Sequence, residues 1–344
     1  MPKPGKPASA RDPAADLDRI AYLLERSREP TYRVRAFRTA AEVVAGLSPG
    51  ELQQRVADGT LTDLPGIGKT TAAVVEEAVA GKVPAYLTKL AGEQPAAAEP
   101  SAMRRALRGD LHCHSDWSDG GSPIDVMARA ARDLGHDYMA LTDHSPRLTV
   151  ARGLTPERLR EQLAVVRALN EELAPFRILT GIEVDILEDG GLDQDPDLLE
   201  ELDVVVASVH SKLRMDREAM TRRMVTAIAN PHMDVLGHCT GRLLTGRGRP
   251  ESDFDAELVF EACRQFGVAV EINSRPERLD PPRRLLSLAV EMGCMFSIDT
   301  DAHAPGQLEW QENGCARAEE CGIDAAWVIN TQSADDLLTH LTPR

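Results

Sequence analysis

The chain is predicted to be α/β, a barrel of alternating strands and helices preceded by a small all-helical domain. Three observations predict this. From about residue 106, short apolar runs alternate with amphipathic stretches, the mark of βα units around a parallel sheet. Residues 16–91 instead repeat apolar residues at helical spacing. Finally, His112, His114, Asp119, His144, Glu183, His210, His238, Asp301 and His303 all fall just past the ends of predicted strands. Metal-ligand types at strand ends are how a barrel collects scattered side chains onto one face.

The elements follow in order. Residues 1–15 are polar and rich in Pro and Ala. They lack the apolar core of a signal peptide and predict a disordered tail. DLDRIAYLLE and YRVRAFRTAAEVVAGL carry helical periodicity, and SPGELQQRVADG is a short helix with a Ser-Pro start and a Gly stop. TDLPGIGKTTAAVVEEAVAGK is a turn opening another helix. Its GKT suggests a P-loop, but that motif needs glycine five residues before Gly68, and Asp63 stands there with no strand ahead of it. The better reading is a helix-hairpin-helix. Gly66 and Gly68 shape the hairpin, the amides opening the next helix face a DNA phosphate, and Lys69 adds charge. The domain is set at 16–91, and the Ala/Pro-rich stretch that follows makes a linker of 92–105.

Predicted strands are 109–113, 137–142, 177–184, 203–209, 234–237, 268–272 and 295–299. Predicted helices lie near 123–134, 155–173, 195–201, 216–229, 253–266, 282–292 and 307–321. Seven βα units in 106–344 suit a barrel near the usual (β/α) size. An open doubly wound sheet would gather ligands at one switch point instead of from every strand.

The net charge of −16 normally argues against nucleic acid, but it is unevenly spread. Residues 1–90 hold 13 Lys and Arg against 11 Asp and Glu, and the remainder holds 26 against 44. Arg26, Arg28, Arg33, Arg35 and Arg38 cluster with only Glu29 among them, and Arg33 and Arg35 are taken as DNA contacts. Six dispersed cysteines without a CxxC pair suit a reducing cytosol, and a cytoplasmic location is expected. Cys113 and Cys239 read as buried small apolar residues beside the site. No apolar run is long enough to span a bilayer, so no membrane partner is expected.

His112 and His114 sit two residues apart on a strand and so point to one side, as do Asp301 and His303. Nine ligands exceed the need of one ion, which points to two or three divalent cations. Imidazole with carboxylate suits Mn2+ or Zn2+, with Fe2+ as a third candidate. Such a cluster is machinery for phosphoester hydrolysis. His136, His232 and His340 lie away from predicted strand ends and are left out of the set.

On DLHCHSDWSDG, ALTDHS, LTGIEVD, VVVASVH, VLGHC and SIDTDAH, residues 106–342 resemble the PHP (polymerase and histidinol phosphatase) superfamily. The resemblance implies a distorted seven-stranded (β/α) barrel. It implies that Glu183 bridges two ions, with His112, His114 and Asp301 completing the first, and His210 and His238 the second. Asp119, which replaces the histidine of other branches, would hold a third ion with His144 and His303. Glu183 and Asp301 are thereby also candidate catalytic residues.

HCTGRLLTGRGR and EINSRPERLD are similar to the PHP domain of bacterial X-family DNA polymerases. Of the arginines in these loops, Arg242 and Arg275 lie closest to strand ends and are expected to contact phosphate. EPTYRVRAFRTAAEVV and LPGIGK resemble the 8-kDa domain of the same polymerases. Val74 replaces the lysine used for lyase chemistry in several relatives, and the linker leaves no room for a polymerase core. The expected activity is phosphoester hydrolysis at DNA 3′ ends, as a 3′→5′ exonuclease or 3′-phosphatase in repair. Two alternatives stand beside it, a small-molecule phosphatase of the histidinol-phosphatase type and a DNA-binding module with an inactive barrel.

Overall fold

The computed structural model describes residues 11–93 and 99–341. The chain forms two compact units, Met1–Glu99 and Pro100–Arg344.

In the first unit, Asp12 caps helix α1 (Pro13–Arg26) by accepting from the amides of Ala14 and Ala15. Most of the predicted tail lies outside the described residues, but its last residues are helix, because Asp12-Pro13 is a start signal. Leu17, Ile20, Ala21 and Leu24 line one fully buried face of α1, packed with Phe37, Ala40 and Val44 of α2 (Thr31–Ala45). Helix α3 (Pro49–Asp58) starts at the Ser48 cap and stops at left-handed Gly59. A 3-10 turn, Leu61–Asp63, then leads into the hairpin and helices α4 (Lys69–Val79) and α5 (Ala85–Glu93). Gly66 has φ +91°, and an added Cβ would meet the Thr39 methyl at 2.8 Å, so only glycine fits. Val74 is a core residue of α4.

In the second unit, strands β1 (Gly109–Cys113), β2 (Tyr138–Leu141), β3 (Arg177–Asp185), β4 (Val204–Ser208), β5 (Val235–Leu236), β6 (Ala269–Asn273) and β7 (Phe296–Asp299) make one parallel sheet in chain order. A parallel bridge between Cys113 and Ala302 brings the chain beyond β7 beside β1, nearly closing the barrel. Helices α6 (Ala102–Ala106), α7 (Ile124–Asp133), α8 (Pro156–Leu173), α9 (Pro196–Leu199), α10 (Arg217–Ile228), α11 (Ala256–Phe266), α12 (Arg283–Glu291), α13 (Gln311–Glu320) and α14 (Ala334–Leu341) surround it.

Alternate strand residues serve two cores. Ile182, Val184, Val205, Ala207, Val270 and Ile272 pack outward with Met220, Met224 and Phe260. Leu179, Val204, Val206 and Ala269 fill the interior with Tyr138, joined by Leu337 and Leu341 of α14. Burial on both faces is why these strands read as continuous apolar runs.

Three expectations need correction. The linker 92–105 is shorter than predicted, since α5 runs to Glu93 and α6 occupies its far end, capped by Ser101; residues 94–98 lie outside the described residues. The helix expected over 307–321 is a 3-10 turn, Pro305–Trp310, followed by α13. Strand β5 holds only Val235–Leu236; at Gly237 the backbone lies close against β4, where an added Cβ would meet Ser208 Oγ at 2.2 Å.

Candidate metal centre

The barrel brings all nine predicted ligands to one end. His112 and Glu183 lie within β1 and β3 and not just past them as expected, while Asp119 sits several residues beyond β1 on its loop. The others follow β1, β2, β4, β5 and β7 by one to four residues. The His112 and His114 rings lie 5.1 Å apart, as i,i+2 spacing requires. Gly237, by letting β5 approach β4, sets the backbone entering His238.

Glu183 is the hub and is buried. Its Oε1 faces His238 Nε2 at 3.0 Å and His210 Nε2 at 3.2 Å. Its Oε2 faces His144 Nδ1 at 2.9 Å, His112 Nε2 at 3.3 Å and His114 Nε2 at 3.7 Å. Asp301 Oδ1 lies 3.5 Å from His114 Nε2. Asp119 Oδ1 is 3.3 Å from His303 Nε2 and 3.5 Å from His144 Nε2. Three groups capable of holding an ion result, His112/His114/Asp301, His144/Glu183/His210 and His114/Asp119/His144/His303. His238 joins through Glu183.

The residues fit a cluster of divalent cations. His112 Nε2, both ring nitrogens of His114 and of His210, and Glu183 Oε2 are buried without a hydrogen-bond partner. Unpartnered ring nitrogens and a carboxylate oxygen converging on shared points are what a cation would satisfy. The electrostatics are those of an ion-free cluster: against burial, Glu183 pushes His210 up to about 9 and, with Glu271, pushes His112 well above its usual value, so a cation would displace their protons. Burial would raise Glu183, but His210, His112 and His144 outweigh it and hold the carboxyl well below its usual range. Burial, with His303 and His144 adding, pulls His114 down to about 3, so the ring is neutral and one of its nitrogens offers a lone pair. Against burial, Arg275, His114 and Arg278 keep Asp301 ionised. Asp301 also adopts φ +54°, a strained conformation for a non-glycine residue and one that functional sites tolerate.

A cavity of about 300 Å³ opens onto the cluster. Its walls include Leu148, Leu243, Arg275, Glu277 and Arg278 besides the ligands. Arg275 Nη1 donates to Asp301 Oδ1 at 3.3 Å and lies 3.1 Å from His303 Nδ1. Arg278 Nε donates to Asp301 Oδ2 at 3.1 Å, and its Nη1 is buried without a partner. Arg242 departs from expectation. Its Nε donates to Arg278 O at 2.9 Å, its Nη2 to Leu279 O, and its Nη1 pairs with Glu251. It clamps the loop after β6 and is not part of the cavity wall, so the cavity arginines are Arg275 and Arg278.

Sequence reasoning missed the carboxylates behind the ligands. Glu271 on β6 contacts the His112 ring, Asp185 accepts from the His210 amide at 3.0 Å, and Asp143 gathers Ser115, Ser118 and Gln162. The available signal was a single acid inside an apolar strand, as in VAVEI.

In the first unit, Gly68, Lys69 and Arg35 are exposed, and Gly68 donates its amide to Thr71 Oγ1 at 2.9 Å. Arg33 is engaged by Glu29 and by the Tyr86 hydroxyl at 2.5 Å. Arg38 forks onto Glu25 at 3.0 Å and reaches Asp18 at 2.9 Å. The basic cluster is therefore partly neutralised from within.

A nearly closed parallel barrel with this ligand set at the strand ends defines a metal-dependent hydrolase. The PHP domain family matches residues 110–275, and a helix-hairpin-helix domain family matches residues 10–83. Over 235 residues the chain is 43% identical to the DNA polymerase/3′-5′ exonuclease PolX of Bacillus subtilis (strain 168), covering 68% of this chain but 41% of that protein. A probable phosphatase of Thermoanaerobacter sp. (strain X514) is 30% identical over 233 residues, 64% of this chain and 89% of the relative. Among solved structures, histidinol phosphate phosphatase from Lactococcus lactis, complexed with zinc, L-histidinol and phosphate, aligns with a TM-score of 0.46 at 20% identity, covering 63% of this chain and 94% of that one. The chain belongs to the PHP superfamily and is a hydrolase of phosphoester bonds, with a helix-hairpin-helix domain and no polymerase core between the two.

Proposed function

We propose that the chain hydrolyses phosphoesters at DNA 3′ ends, as a 3′→5′ exonuclease or 3′-phosphatase, with the N-terminal domain holding the DNA. The observation that carries this is the pairing, in one chain, of a helix-hairpin-helix domain with a barrel 43% identical to part of PolX. Physical features support it. The cavity of about 300 Å³ is at the small end for ligand sites, so it suits one terminal nucleotide and not a duplex. Two or three divalent ions, Mn2+ or Zn2+, would be held by the nine ligands, with Glu183 between them. When bound, such ions lower the pKa of a coordinated water to about 7 and neutralise charge on phosphoryl oxygens. Arg278 Nη1 and the Arg275 guanidinium supply donors for the non-bridging oxygens, and the buried histidines exclude bulk water from beneath the phosphate.

A second reading, a small-molecule phosphatase, is favoured by the probable phosphatase that the chain covers over 89% of its length. Parallel assays decide. Protein reconstituted with Mn2+ is given 3′-labelled DNA and, separately, histidinol phosphate. Release of nucleotide or phosphate from the DNA end is expected. Turnover of histidinol phosphate with intact DNA ends would overturn the proposal in favour of the second reading.

A further inference from the structure

We propose that Glu271 is a positioning residue of the metal centre, setting the ring of His112 and the backbone that carries His238. Glu271 sits on β6 and shares the inward face with Ala269 and Asn273, while Val270 and Ile272 pack outward. It is fully buried and does not line the cavity, so neither substrate nor solvent reaches it. Both its oxygens are used. Oε1 lies 2.6 Å from His112 Nδ1, and Oε2 accepts from the His238 amide and from Asn273 Nδ2 at 3.2 Å.

The chemistry of these contacts fixes a tautomer. A carboxylate only accepts, so His112 must carry its proton on Nδ1. In the neutral ring that ligation requires, Nε2 is then the bare lone pair, and it is this atom that faces Glu183 Oε2 at 3.3 Å, without a hydrogen-bond partner. The partner of a ligating imidazole's other nitrogen sets ring orientation and basicity. Glu271 does more than this, because His112 and His238 lie on opposite oxygens of Glu183. One buried acid thus aligns ligands on both sides of the hub. The inference concerns the metal centre alone and holds whichever phosphoester is cleaved.

The test is Glu271→Gln, which keeps size and removes charge. An amide has one accepting end, so it can serve the His112 N–H or the His238 N–H, but not both. Wild type and variant are stripped of metal, then titrated with Zn2+ against a chromophoric chelator. Thermal midpoints are read with and without the ion. The expected result is a 10- to 100-fold loss of affinity for at least one ion. The metal-induced rise in midpoint, measured from each protein's own metal-free value, should shrink with it. Unchanged affinity and an unchanged rise would overturn the proposal, however far the metal-free midpoint moves, since that marks a purely structural acid. If Glu271→Gln does not fold, Glu271→Asp, which keeps the charge but withdraws it from the ring, is measured in the same way, and wild-type affinity there also overturns it. If neither variant folds, Glu271 belongs to the fold and the proposal fails.

Discussion

Arg242 and Arg278 stand 36 residues apart in sequence and share one loop junction, yet they do different work. Arg242 spends its guanidinium on the carbonyls of Arg278 and Leu279, whereas Arg278 leaves Nη1 bare and buried at the cavity wall. Arg278→Ala should therefore lower kcat/KM for phosphoester cleavage by about 100-fold, as for the loss of one preorganised donor. Arg242→Ala should cost about 1–3 kcal/mol of stability while activity per folded molecule stays within a few-fold. Steady-state kinetics and urea unfolding of both variants check this, and a larger activity loss in Arg242→Ala than in Arg278→Ala would refute the assignment. The pair also shows where sequence stops informing. Distance from a strand end places an arginine near the site but says nothing about which way so long a side chain turns. Histidines were legible because imidazoles repeated at strand ends have few other uses. Glu271 and Asp185 were not, because a lone acid on a strand gives no sign of the ligand behind which it will stand.

At the scale of elements, every strand of the barrel was legible to within two residues, since apolar runs bounded by turns admit few alternatives. Helix α6 was not, because five residues in Ala/Pro-rich surroundings carry no periodicity. That helix nonetheless builds a pH-sensitive contact. Arg104 on α6 reaches His136, before β2, with Nη2 2.9 Å from Nε2. Arginine can only donate, so Nε2 must accept and stay unprotonated. Burial, then Arg104, hold His136 down to about 3, against an ordinary value of 6.5. Between these values the unfolded chain binds the proton and the folded chain does not, so stability falls as pH drops from about 6.5 toward 3. One such group contributes a slope of about 1.4 kcal/mol per pH unit. His136→Gln, whose carbonyl can replace Nε2 as acceptor, should flatten the acid limb by about that slope. Urea unfolding of metal-free protein at several pH values reads it, and parallel limbs for wild type and variant would show that His136 protonates inside the fold.

Across the whole molecule, charge is divided between the two units, with the first balanced and the second carrying the whole negative excess. Composition showed that division, but not how much of the basic cluster is spent internally, because the partners Glu25 and Asp18 come from another helix. With Arg33 and Arg38 engaged, Lys69, Arg35 and the first amides of α4, which no carbonyl within the helix can satisfy, face a phosphate backbone. Two or three phosphate contacts predict that a fourfold rise in salt weakens DNA binding roughly ten- to fiftyfold. Lys69→Ala with Arg35→Ala should flatten that dependence and leave hydrolysis of a small phosphate ester unchanged, since all nine candidate metal ligands lie in the other unit. Deleting residues 1–99 should do the same, because the barrel has its own core. A monoester held against the buried cluster by Arg275 and Arg278 should respond to salt far less, as close, partly buried charges are poorly screened. Fluorescence anisotropy with labelled DNA across ionic strengths, beside turnover of the small ester, separates these terms. If binding at low salt is unaffected by the deletion, the barrel alone holds the DNA. The hairpin would then have no part in substrate capture, and the division of labour proposed for the two units would be wrong.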